Sequence, residues 1–282
     1  MPRPLPIALA ALAGCAPTAP SGSDPASWPE RPSVLLVSLD TLRLDRIGAY
    51  GHDRPTTPAL DAFAAESLRF DQAFTHHPWT LTAHATMLTG LLPRVHGVLE
   101  DRALVDEVVT VAEVFAAADF ATLAVVDACT WMDPVFGHDQ GFGSYQVLKT
   151  DAGPKIDALF TKLDSLDGQP FLAFAHLFDA HSDETRLPYD SAPQHREAFA
   201  GWYEGPFDGT HPDWGHSSQL LLRMNAEGEE LTGDERRYLE DLYDAGVRTL
   251  DDHLARLFDG LEERGLLDTT VVVVVSDHGE EL

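Results

Sequence analysis

Four short apolar runs, VLLVSL (34–39), ATLAVV (121–126), FLAFAHL (171–177) and TVVVVV (270–275), are spaced along the chain, with longer amphipathic stretches between them. Runs of this length fit strands, and their unbroken apolar character fits strands covered on both faces. The intervening segments carry helix signals. TPALDAFAAESLRF opens with Thr57 as a candidate N-cap and Pro58 at the first helical position. Thr110 and Glu113, and again Thr232 and Glu235, have capping-box spacing. Ile156, Leu159, Phe160 and Leu163 recur at helical intervals, as do Leu239, Leu242, Tyr243, Val247, Leu250, Leu254, Leu257 and Leu261 ahead of a stop near Gly265. Strands joined by helices predict an α/β fold, a mostly parallel mixed sheet with helices on both faces and right-handed crossovers.

Ligands of such sheets collect at the carboxyl ends of the strands. There the first run ends in Asp40-Thr41, the third in FDAH (Asp179, His181) and the fourth in SDHG (Asp277, His278). One such acid alone would be read as a loop or helix-cap residue. Three on one edge, two of them with a histidine, offer the oxygen and nitrogen donors that suit a divalent cation such as Zn²⁺ or Mn²⁺, or Ca²⁺ where oxygens dominate. HPWTLTAHATMLTG supplies a candidate for the opposite side: Thr80, then a short helix expected to begin near Thr82. A hydroxyl there would face free N–H groups and the positive end of a helix dipole, a setting suited to an anionic ester. The competing reading is that Thr80 or Thr82 only caps the helix.

Taken in order, VLLVSLDTLRLDRIGAYG, TTPALDAFAAESLRFDQAFT, TLTAHATMLTGLLPRVHGV, GFGSY, HLFDAH and LLDTTVVVVVSDHGE resemble the N-terminal catalytic portion of the sulfatases, within the alkaline-phosphatase-like superfamily. The resemblance implies one divalent metal ion (Ca, Mn or Zn) held by Asp40, Asp277 and His278. Thr80 then stands at the nucleophile position, also on the metal, and His181 contacts substrate or donates a proton. His84 occupies the place of the arginine in the sulfatase motif, where it would either bind an ester oxygen or pack locally. A threonine cannot be converted to formylglycine, so the geminal-diol route of true sulfatases is closed and a phosphatase- or phosphodiesterase-like nucleophile is implied. Asp40-Thr41 has one carboxylate fewer than the acidic pair of many relatives. AVVDACTWMDPVFGHDQGFG lacks the lysine-and-histidine pair of formylglycine enzymes. The implied activity is hydrolysis of sulfate, phosphate or phosphonate esters, small-molecule, glycan or lipid. The alternatives are group transfer to an alcohol and a non-catalytic surface protein. Because relatives continue past SDHGE, the catalytic fold is expected to be incomplete at its C-terminal side.

The formal charge of −27 over 282 residues argues against nucleic acid or an anionic membrane as the principal partner. The opening MPRPLPIALAALAGC has a signal-peptide layout too short to span a bilayer. Leu12-Ala13-Gly14-Cys15 resembles a bacterial lipobox, which predicts a lipid anchor at Cys15, a flexible tether over 16–32, a catalytic domain over 33–282 and a location in the cell envelope. Cys129, after an apolar run, reads as a reduced, partly buried core residue. The polar and aromatic stretch 182–231 reads as an insertion over the site or a disordered segment. Trp202, Tyr203 and Trp214 there could line a cleft or serve only loop packing.

Overall fold

The structure, a computed structural model, describes residues 29–182, 188–205, 207 and 217–281, the side chains of 217–220 and 222 excepted. Cys15, expected to carry an anchor, and most of the expected 16–32 tether lie outside the described residues, as does Trp214. Five strands, β1 (Ser33–Leu39), β2 (Ala121–Asp127), β3 (Ser144–Leu148), β4 (Phe171–Leu177) and β5 (Thr270–Ser276), form one sheet in the order β3-β2-β4-β1-β5. Every pairing among them is parallel. The four apolar runs are all strands. β3 is the strand they did not announce, because its sequence SYQVL is half-buried at a sheet edge. The opposite edge is β5, whose Val271 and Val273 are exposed.

Strand parity sorts the side chains. Leu35, Val37 and Leu39 of β1 and Ala173, Ala175 and Leu177 of β4 join Ile156 and Leu159 of α5 (Ala152–Asp164) and Leu250, Leu254 and Leu257 of α8 (Gly233–Glu263) in one buried cluster. Full burial of each leucine on that stripe contributes about 2 kcal/mol. The alternate residues, Leu36, Ala124, Val126 and Phe174, pack on the other face with Met87 of α2 (Thr80–Thr89) and Met132. A side chain at 38, 40 or 176 therefore falls on the α2 face.

Local chemistry sets the helix ends. The capping boxes of α4 (Val111–Ala117) and α8 form as expected. Thr57, in contrast, does not cap α1 (Pro58–Ala65) through its side chain. Its hydroxyl is taken up by Asp61 and the Gly48 N–H, and the carboxylate of Asp251 on α8 accepts the N–H groups of Ala59 and Leu60, both at 2.9 Å. A long-range carboxylate thus does what the local hydroxyl was expected to do. Within 182–231 lie two helices, α6 (Pro193–Ala200) and α7 (Ser217–Glu227), while the short α3 (Pro93–His96) follows α2. Trp202 donates to Asp241 and Tyr203 stacks on Tyr238, so both serve packing against α8. No helix among the described residues is long and apolar enough to cross a membrane.

Candidate active site

β1 and β5 run side by side to the same edge, and the loop that leaves each is fixed by the other. Thr41 N–H donates to Asp277 Oδ1 at 3.1 Å, and so does His278 N–H at 2.8 Å. Tyr243, buried on α8, accepts from Arg43 N–H and donates to the Thr41 carbonyl, clamping the turn after β1. Thr41 is held at φ +55°, a left-handed conformation that is uncommon for a β-branched residue. The helix α2 begins at Thr80 rather than near Thr82, so the Thr80 hydroxyl sits in the first turn, where backbone N–H groups lack intrahelical partners. Its N-cap, Trp79, makes no side-chain capping bond.

Distant segments therefore converge. Thr80 Oγ1 lies 3.1 Å from His278 Nε2 and 3.4 Å from Asp40 Oδ2. Donor atoms of Asp40, Asp277 and His278 all fall within 4.8 Å of one another. His278 Nδ1–H donates to the Gly279 carbonyl at 2.8 Å, which leaves the Nε2 lone pair turned toward Thr80, the tautomer a metal ligand requires. Asp40 Oδ1 and Asp277 Oδ2 are buried without a hydrogen-bond partner. Two buried carboxylates so close, each with an unused oxygen, suit a divalent cation. In the metal-free chain burial, and then the charge of Asp277, push Asp40 up to about 8.

The expected residues do not all reach this point. Asp179 turns away from the edge: its Oδ1 accepts the Ala152 N–H at the start of α5, so this strand-exit acid belongs to a helix end. His181 is half-buried, stacked on Phe178 with ring centroids 4.1 Å apart. Its Nδ1–H donates to the Ser182 carbonyl, which leaves Nε2 uncommitted. His84, for which ester binding and local packing were both open, is fully buried, and both of its nitrogens are committed inside the protein. Nδ1–H donates to the Thr80 carbonyl at 2.8 Å, and Nε2 accepts from the Ser38 hydroxyl at 2.9 Å. Burial lowers it to about 4, so the ring is neutral and has no proton left for an ester oxygen. Its role is to seat the first turn of α2 on β1.

Two buried residues near the carboxyl ends of the strands, one of them at the site, escape sequence reading. His176 lies inside the apolar run of β4, fully buried, with Nε2 2.8 Å from Asp40 Oδ2. Only parity, which places 176 with Phe174 on the α2 face, would have found it. Lys155 of α5 is buried beside Asp127 at the end of β2, Nζ to Oδ2 2.5 Å, on the opposite face.

A parallel α/β sheet thus gathers a threonine hydroxyl, two carboxylates and an imidazole at its carboxyl edge, where ligands of such sheets collect. The sequence profile of the sulfatase family matches residues 32–282, and the chain belongs to that family. It is 38% identical over 292 residues to human arylsulfatase A and 26% identical over 288 residues to an ulvan-active sulfatase of Formosa agariphila, each alignment covering 89% of this chain. The chain spans about half the length of these relatives, 52% and 51%. Among solved structures, the phosphonate monoester hydrolase of Agrobacterium radiobacter has the same fold (TM-score 0.63, 19% identity, 89% of this chain and 63% of that one). So does the zinc complex of the C-terminal periplasmic domain of EcEptC from Escherichia coli (TM-score 0.60, 18% identity, 95% and 69%).

Proposed function

We propose that this domain hydrolyses sulfate, phosphate or phosphonate monoesters with Thr80 as nucleophile and a divalent cation held by Asp40, Asp277, His278 and the Thr80 hydroxyl. The observation that carries the reading is the position of Thr80 Oγ1, in the first turn of α2 and within 3.4 Å of both Asp40 and His278. When bound, the cation stabilises charge on the hydroxyl and on the ester oxygens. Thr80 Oγ, its proton released to solvent, forms a bond to sulfur or phosphorus as the bond to the ester oxygen breaks. His181, protonated at Nε2, gives that proton to the departing alcohol and then takes one from the water that cleaves the Thr80 ester, while Thr80 Oγ, its bond to sulfur or phosphorus broken, regains its proton from solvent. The free N–H groups at the start of α2 would favour an anionic ester.

Human arylsulfatase A and the ulvan-active sulfatase are named for sulfate esters, and the Agrobacterium enzyme for phosphonate monoesters. The threonine favours phosphorus, since it cannot supply an aldehyde hydrate. Metal-loaded protein assayed against aryl sulfate, aryl phosphate mono- and diesters and an aryl phosphonate separates these. Thr80→Ala is expected to lower kcat/KM by roughly 10⁴-fold or more with the fold intact. Full activity in that variant sinks the nucleophile assignment. An added acceptor alcohol that captures the group in place of water would make the protein a transferase. We also read Cys15 as the site of a lipid anchor to the cell envelope, on the strength of Leu12-Ala13-Gly14-Cys15. Fatty-acid labelling should then vanish in Cys15→Ala.

A further inference from the structure

Cys129 stands two residues beyond the end of β2, and His176 lies on the adjacent β4. Donor atoms of Cys129, His176 and Asp40 all lie within 4.8 Å of one another. Apolar packing explains Cys129 alone, and a hydrogen bond to Asp40 explains His176 alone. Neither explains why three different strands bring sulfur, nitrogen and oxygen donors to one point. Asp40 is also the residue common to this group and to the Asp277–His278 group. It is fully buried, and of its two oxygens Oδ1 has no partner at all. One carboxylate therefore has the capacity to serve two cations.

We propose that Asp40, Cys129 and His176 form a second cation site, selective for zinc, that shares Asp40 with the site beside Thr80. The thiolate and imidazole donors select a soft or borderline ion over calcium, magnesium or manganese. Three protein ligands leave a tetrahedral ion one open position, the arrangement of a reactive rather than a purely structural zinc. Binding releases the thiol proton of Cys129 and any proton on Asp40 to solvent, and exchanges the hydrogen bond between His176 and Asp40 for bonds to the ion. Two divalent ions against Asp40, Asp277 and Cys129 would leave the site with surplus positive charge, which suits an anionic ester. The inference deepens the proposed reaction and rests on the same edge of the sheet, but its test does not depend on turnover.

The test uses the full chain carrying Cys15→Ser, so that Cys129 is the single thiol. Zinc content after dialysis is measured first, and cobalt(II) is then used as a spectroscopic probe. Two zinc ions per chain are expected, with a near-ultraviolet cobalt–thiolate charge-transfer band. Cys129→Ser should lose one zinc and the band. Asp277→Asn should lose the other zinc and keep the band. Zinc should also slow alkylation of Cys129 by at least about 10-fold, a readout that needs no variant at Cys129 and so survives poor folding of Cys129→Ser. A parent protein with no thiolate band and no protection of the thiol overturns the site. One zinc with the band intact would support it and sink the assignment at Asp277 and His278 instead. Loss of turnover with two zinc ions retained would count against the proposed reaction alone.

Discussion

Two groups of buried aspartates differ in how their charge is met. On α8, Asp241, Asp244 and Asp251 have partners on all six oxygens. Arg54 and Trp202 take Asp241, Arg46 and Arg54 take Asp244, and two N–H groups of α1 take Asp251. At the strand ends, Asp40 and Asp277 are just as buried, yet each has an oxygen without a hydrogen bond, and among the described residues no arginine or lysine pairs with either. The first group fastens α8 to the loop after β1 and to α1. The second is kept at a cost to the folded chain, which is what a charge reserved for a cation would show.

The sharpest way to break this contrast is to neutralise one acid from each group. Asp277→Asn is expected to weaken binding of the cation beside Thr80 by about 100-fold or more, since even outer-shell partners of a ligand cost 10–100-fold. The thermal shift produced by added zinc should shrink accordingly. Asp244→Asn, which strips the buried partner from two arginines, should cost about 3 kcal/mol in denaturant unfolding and leave the zinc-induced shift in place. If the two variants exchange these behaviours, the division between fastening and reserved carboxylates is wrong.

The same division governs what could be read beforehand. Strand runs, capping boxes and the leucine stripe of α8 are local patterns, and each formed. Asp40, Thr80, Asp277 and His278 could be nominated because they follow apolar runs or precede a helix. Asp179 follows such a run as well, but the sequence does not say that α5 starts beside it with an N–H to satisfy. Asp251 capping α1 and Lys155 meeting Asp127 join residues 191 and 28 positions apart, separations at which no local spacing rule applies. His176 was hidden for another reason. A histidine within a strand of apolar residues has no pattern of its own, and its meaning comes from the face it shares with Ser38, Asp40 and Phe174.

A smaller effect sharpens the contrast through pH. Asp40 rises from 3.8 to about 8 on folding, so between those values the folded chain holds a proton that the unfolded chain releases. Stability of the metal-free protein therefore falls as pH rises through that window. His84 and His176 shift the other way, from 6.5 to about 4, so their contribution is lost as pH falls below 6.5. The metal-free protein should be most stable near pH 6.5 and decline toward 8. A bound cation keeps Asp40 ionised, so the Tm gain from zinc should grow over the same interval. A gain that stays constant from pH 6.5 to 8 would show that Asp40 carries no such proton.

The smallest expected effect concerns Thr41, where the reserved site meets its clamp. The residue is held at φ +55° with its hydroxyl buried and without a partner. Both features oppose folding, by roughly 1–2 kcal/mol for the left-handed backbone and 1–3 kcal/mol for the unmet hydroxyl. Glycine removes both, against the loss of a buried methyl group and a greater entropy cost on folding. Thr41→Gly is thus expected to raise stability by about 1 kcal/mol in the metal-free chain. The two backbone contacts of residue 41, its N–H to Asp277 and its carbonyl from Tyr243, need no side chain, so they should persist in the variant. If stability instead falls, the threonine side chain fastens the turn, and position 41 belongs with the α8 carboxylates rather than with Asp40 and Asp277.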